Sequence, residues 1–262
     1  MPNKPKILCS VTLYNCESYI TKVLSQLEVN NSFFDEIIVV DNCSNDNSID
    51  VAIKFISQKK IKKISLYQNN QNYGLGGSHK MIFNYARHNN FDYVVIFHGD
   101  NQGRIKDLLP HLKEQTYINY AALLGSRFMN GSSIKGYSNF RIFGNYIFNF
   151  IYSFVLRIKI SDMGSGLNMY KVKELPVNFM AMPDDLTFNN AFLINLIACE
   201  KKINFFPISW YEDGQISNAR LINQSLKLLK YAILFLFFQK KYKRFNHSYN
   251  NFSYKFKLIF KL

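Results

Sequence analysis

Through the first half of the chain, short apolar runs alternate with stretches in which apolar residues recur every three to four positions. The runs fall at 6–11, 36–40, 61–67, 93–97 and 121–124. An all-apolar run of about five residues is the pattern of a strand buried on both faces, as in a parallel sheet. Helical patterns lie between the runs, at 17–27, from the turn at 42–46 to 57, at 74–88 and at 104–115. Alternation at this spacing predicts an α/β domain built on a parallel, doubly wound sheet.

After Arg127 the pattern changes. Residues 129–138 read as a loop containing Gly and Ser, and 140–160 as a largely apolar, aromatic helix, buried or lying on a membrane surface. A flexible loop at 163–166, a helix at 186–200 and a strand at 203–208 follow. Beyond Asp213 there is no acidic residue, and nine Lys or Arg from 221 onward flank the apolar run 231–238. The expected division is one domain over 1–220 and a basic, amphipathic extension over 221–262.

Two of the strand ends carry ligand-type side chains. One apolar run stops at Asp41, the other at His98-Gly99-Asp100-Asn101-Gln102. In open α/β sheets ligands bind just beyond the carboxyl ends of the strands, which predicts that both ends share one crevice. Asp100 and Gln102 offer hard oxygen ligands, and His98 an imidazole nitrogen, suited to Mg²⁺ or Mn²⁺ on a diphosphate. Asp41 reads as a helix N-cap or as an acceptor for a base or ribose; Asp46 and Ser44 can fill the capping role. Gly74-Leu75-Gly76-Gly77 opens a helix, either as a tight turn or as a close approach of backbone to a ligand. Arg127, directly after a buried strand, is placed to grip a phosphate through its fork.

Composition narrows the class. A net charge of +14 implies an anionic partner, and 24 Phe and 17 Tyr are a high aromatic load for a purely soluble domain. The four cysteines show no metal or disulfide spacing. No signal-peptide pattern and no uninterrupted apolar span of about 20 residues is present, so a cytoplasmic protein peripheral to the inner face of a membrane is expected. The basic tail, with Tyr242, Phe245, Tyr254 and Phe256 interleaved, reads as an RNA-binding segment, a disordered arm or an anionic-membrane contact. Its apolar centre at 226–238 favours the membrane, and no nucleic-acid motif supports the first reading.

Taken in order, Val11-Thr12-Leu13-Tyr14-Asn15-Cys16-Glu17, Val39–Asp46, Asn72–Gly76, His98–Gln102, Gly125-Ser126-Arg127 and Asp162–Gly166 resemble the motif series of family-two glycosyltransferases with the GT-A fold. Within them the series is similar to the dolichyl/polyprenyl-phosphate sugar synthases. The resemblance covers about residues 6–220. It implies that Thr12, Tyr14, Glu17 and Asp41, with Gly74, Gly76, His98 and Gly99, serve the nucleotide sugar (UDP- or GDP-linked). Asp100 and Gln102, with His98, would hold the divalent cation, and Arg127 and Arg141 would bind phosphate groups of donor or acceptor. Thr12 stands in place of a Pro, Cys16 in place of a Glu, and His98 in place of the first Asp of the metal motif.

The expected reaction is inverting transfer of a sugar to a polyprenyl-phosphate-type lipid. A hydroxyl acceptor on a surface glycan would need a general base, for which Asp184 and Asp185 are the candidates at a helix start. A phosphate acceptor is already anionic and needs none. A non-catalytic nucleotide-sugar-binding protein is the remaining alternative, and oligomerisation stays open.

Overall fold

The computed structural model describes residues 4–59, 61, 63–213, 221–244, 248 and 252–262. Its strands are β1 (Ile7–Leu13), β2 (Glu36–Asp41), β3 (Ile64–Asn69), β4 (Tyr93–His98), β5 (Ala122–Ser126), β6 (Ser133–Lys135), β7 (Leu167–Lys171), β8 (Ile203–Pro207), β9 (Ser209–Tyr211) and β10 (Phe256–Lys261). Its helices are α1 (Ile20–Asn30), α2 (Ser48–Lys59), α3 (Gly74–His88), α4 (Leu109–Lys113), α5 (Asn139–Leu156), α6 (Phe188–Ala198) and α7 (Leu221–Arg244). The main sheet runs β10-β3-β2-β1-β4-β7-β5-β8, with β6 and β9 paired separately.

Alternate residues of the central strands feed two apolar layers. Ile37 and Val39 join Val23, Leu24 and Ile56 on one face; Ile38 and Val40 join Phe83, Phe192 and Tyr231 on the other. Every side chain of β1 is buried. A strand covered on both faces has no polar face to show, which is why these runs read as continuous hydrophobic stretches.

β1, β2, β3 and β4 pair in parallel, as expected, and so do β5 and β8. The sheet is mostly parallel, as expected, with two antiparallel strands. β7 lies antiparallel between β4 and β5, where the sequence predicts no strand. Its pattern is broken by Asn168, whose buried amide accepts Gly125 N–H (3.2 Å) and donates to Ser165 O (2.8 Å). β10 pairs antiparallel with β3 at the sheet edge.

Described residues of the 221–262 segment pack against the rest of the chain. Tyr231, Ala232 and Phe235 of α7 are buried in the core, and the Tyr152 hydroxyl of α5 donates to Leu228 O at 2.6 Å. The chain then returns through Tyr254 to the sheet. Phe245 and residues 214–220, just before the expected boundary at 220/221, lie outside the described residues.

Candidate active site

β1, β2 and β4 end side by side: Leu13 pairs with Asp41, and Thr12 with His98. Beyond these ends opens a cleft of about 870 Å³. Thr12, Tyr14, His98, Gly99, Asp100 and Gln102 line one side of it; Arg127, Tyr137, Arg141, Trp210 and Glu212 are also in its wall. The end of β4 expected at the crevice, His98, Gly99, Asp100 and Gln102, is thus in the cleft wall, whereas Asp41 is not.

The turn after β4 is held by close packing. Gly99 N–H donates to Thr12 O at 2.9 Å, and a Cβ on Gly99 would sit 2.8 Å from that oxygen. Asn101 takes the left-handed conformation (φ 58) that closes the turn. Asp100 accepts Gln102 N–H at 3.1 Å, and burial pushes its carboxyl up to about 6. A carboxylate whose ionised form is disfavoured gains most from a cation beside it. The Gln102 amide nitrogen donates to Glu212 at 3.4 Å, which leaves its carbonyl oxygen as the end for a cation. Asp100 and Gln102 are therefore the residues that would hold a hard divalent ion, both offering oxygen. Among the described residues no three His, Cys, Asp or Glu side chains form a metal-binding group.

His98 contributes in another manner. Its ring lies against Gly166, where an added Cβ would come within 2.7 Å of ring atoms, and its edge meets the His79 ring at 5.9 Å. Burial first, and the Arg127 charge second, bring its pKa down to about 4. It is a neutral, tightly packed imidazole beside a guanidinium, a poor place for a second cation.

Asp41 lies behind the wall. It is fully buried and accepts the Ser44 N–H (3.0 Å), the Ser44 hydroxyl (2.5 Å) and the Gln68 amide (3.3 Å). Its charge still reaches the cleft: with Asp100 and Asp46 it adds to the burial that pushes the Cys16 thiol up to about 12. Glu17 also faces away from the cleft, accepting the Asn47 N–H and side-chain amide. Together these groups cross-tie the loops after β1 and β2. Asn15 N–H donates to Ser44, Cys16 N–H to Ser48 and Glu17 N–H to Asp46. Asp41 and Glu17 thus brace the β1–β2 side of the cleft from behind.

Other expectations are corrected by their surroundings. Cβ atoms on Gly74 and Gly76 would strike Asp184 O at 2.3 Å and Pro183 O at 2.2 Å, and Gly74 has φ +74. Their small size serves packing on the 183–188 segment, not approach to a ligand. Asp184 is buried in an ion pair with Lys80 (2.6 Å) and accepts the Tyr254 and Ser248 hydroxyls. Asp185 accepts Thr187 N–H and pairs with Lys227. Neither carboxylate lines the cleft, so neither is the general base. Arg127 does line it, but Asp162 already takes its Nε (2.8 Å) and Nη2 (2.8 Å), Gly164 O takes Nη2 and Tyr137 takes Nη1. Its fork is filled from inside the protein, so it cannot also clamp a phosphate through two nitrogens.

Arg141 is the arginine turned to the cleft. It sits in the first turn of α5, its backbone N–H capped by Ser138, and its guanidinium lies 4.1 Å over the Tyr137 ring. Its Nη1 donates to both Glu212 oxygens, at 2.9 and 2.7 Å. Glu212 follows β9 and is missed by the sequence reading. The rule that finds Asp41 and Asp100, polar residues ending an apolar strand, also picks out Trp210-Tyr211-Glu212 after 203–208.

Along α5, Phe140 (79%), which also lines the cleft, Phe143 (65%), Phe150 (75%) and Phe154 (75%) are exposed, as are Leu226, Ile233 and Phe237 of α7. No described helix is long and apolar enough to cross a membrane.

Comparison with known proteins gives a consistent picture. A sequence 26% identical over 168 residues occurs as an uncharacterised protein of Methanocaldococcus jannaschii; the match takes in 64% of this chain, and the chain spans 65% of that relative's length. Among solved structures, S. aureus TarS bound to UDP superposes with a TM-score of 0.55 at 18% identity, covering 91% of this chain and 68% of that one. Glucosyl-3-phosphoglycerate synthase of Mycobacterium tuberculosis, bound to Mn²⁺, UDP-glucose and glycerol 3-phosphate, gives 0.59 at 13% identity, covering 88% and 79%. These likenesses establish the GT-A fold. The sequence profile of glycosyl transferase family 2 matches residues 9–175, and the chain belongs to that family.

Proposed function

We propose that the chain is an inverting glycosyltransferase that moves a sugar from a nucleotide-diphosphate donor to a polyprenyl-phosphate-type lipid at the cytoplasmic face of a membrane. One observation carries this reading. The cleft is bounded by a half-buried Asp100 and by an arginine on a helix that exposes several aromatic side chains.

Family membership supports sugar transfer, and the UDP-bound and Mn²⁺-bound neighbours support a UDP-sugar with a divalent cation. When bound at Asp100 and Gln102, Mg²⁺ or Mn²⁺ supplies positive charge to the departing nucleoside diphosphate. The chain does the rest. Thr12 and Tyr14 line the donor side. Arg141 supplies charge on the side the acceptor enters, and α5 and α7 offer Phe, Ile and Leu to an acyl layer with Lys230 exposed among them. The phosphate reading needs no general base, which agrees with Asp184 and Asp185 being occupied elsewhere. A saccharide hydroxyl acceptor is the second reading, and Glu212 is the carboxylate in the cleft that favours it.

The test is product analysis with UDP- and GDP-sugars against a polyprenyl phosphate and a saccharide panel, with and without Mn²⁺. A lipid-linked product, lost in Asp100→Ala, is expected. Transfer to saccharides alone would refute the lipid acceptor, and unchanged turnover in Asp100→Ala would refute the cation site.

A further inference from the structure

We propose that Arg141 and Glu212 form an exchangeable anion subsite for the acceptor, with Glu212 occupying Arg141 until a phosphate monoester takes its place. The inference rests on the lipid-phosphate reading and assigns it a position separate from the donor diphosphate at Asp100 and Gln102.

Three features point there. Arg141 holds Glu212 through Nη1, so the pairing uses one nitrogen rather than the two-nitrogen fork that Asp162 takes from Arg127. The pair is partly open to water, at 26% and 15% side-chain exposure, so a charged ligand can reach it. The guanidinium is kept in place by other means, stacked 4.1 Å over Tyr137 in the capped first turn of α5. A cation whose position does not depend on its counter-ion can change counter-ions without moving. The helix N-terminus adds a positive dipole end on the same side.

Glu212 is itself anchored. Its N–H donates to Lys135 O at 2.9 Å, and its carboxylate accepts the Gln102 amide at 3.4 Å. A carboxylate displaced from Arg141 thus retains a partner on the cation-binding loop. Acceptor binding at Arg141 and donor binding at Gln102 are linked through one side chain, which biases the enzyme toward taking both.

The experiment is calorimetric titration of the full chain with a short-chain isoprenyl phosphate and with the matching uncharged isoprenol, alongside UDP. Glu212→Gln should tighten the phosphate roughly two- to five-fold, the range for removing one competing ion pair of this exposure, and leave the isoprenol unchanged. Arg141→Gln should weaken the phosphate and spare UDP. Glu212→Asp, which keeps the charge on a shorter stem, should lie between wild type and Glu212→Gln and serves if the latter does not fold. Phosphate binding unchanged or weaker in both Glu212 variants overturns the subsite. Loss of turnover in Glu212→Gln with an unchanged acceptor KM also overturns it, because that is the signature of a general base. If wild type binds UDP but no isoprenyl phosphate, the lipid-phosphate reading falls together with it.

Discussion

Arg127 and Arg141 line the same cleft, each paired with a carboxylate, yet the side chains of Arg127 and Asp162 are 8% and 0% exposed, and those of Arg141 and Glu212 26% and 15%. Asp162 meets the Arg127 fork at two nitrogens and also accepts its backbone N–H at 2.9 Å. That arrangement leaves neither charge anything to gain from a ligand. Glu212 meets one nitrogen of Arg141 in partial contact with water. A buried charge is tolerated only when its partners satisfy it, and satisfaction removes it from chemistry. A half-open charge keeps the capacity to bind. Similar residues in one cavity therefore divide into a brace and a receiver.

The comparison can be broken most forcefully at the sealed pair. Asp162→Ala leaves a buried guanidinium without its counter-ion and should cost about 3–5 kcal/mol of stability in denaturant unfolding. A loss within experimental error would show that Arg127 is not sealed. The same interior can be tested by acid. His79, beside the Lys80–Asp184 pair, is brought down from 6.5 to about 3 by burial first and by His98 second. Its unfolded form takes up a proton before the folded form does, so the stability from keeping it neutral is present above pH 6.5. That stability drains away as pH falls toward 3, by at most about 1.4 kcal/mol for each pH unit. Unfolding of wild type and His79→Gln across that window should show the steeper loss in wild type; parallel curves would contradict the burial. The smallest stability effect belongs to the open pair. Arg141→Gln should shift stability by less than about 1 kcal/mol, while turnover with a phosphate acceptor falls on the order of 100-fold. Destabilisation matching that of Asp162→Ala would erase the distinction.

Much of this was readable from the chain. The strand ends at Asp41 and Asp100 were visible because parallel strands buried on both faces leave unbroken apolar runs, and a polar residue that closes such a run stands out whether it meets the cleft or, like Asp41, is buried behind it. The turn at 74–77 was visible for its glycines, although their cause was not. A glycine reports that something is close, without reporting whether it is a ligand or, as here, the carbonyls of Pro183 and Asp184. β7 and β10 were hidden because β7 carries a buried Asn and β10 follows a basic segment that resembles a surface tail.

The local pattern alone determined the alternating strands and helices of the first half, the crevice at their ends, and the placement of Asp100 and Gln102 within it, because these follow from residue periodicity over a few positions. Tertiary structure decided which charges are consumed and which remain exposed to a ligand. Asp162 lies 35 residues from Arg127, Glu212 lies 71 from Arg141, and Asp184 lies 104 from Lys80. Whether a carboxylate is a base, a brace or a counter-ion depends on the partner that folding brings to it, and pairings across such separations leave no periodic trace in the sequence.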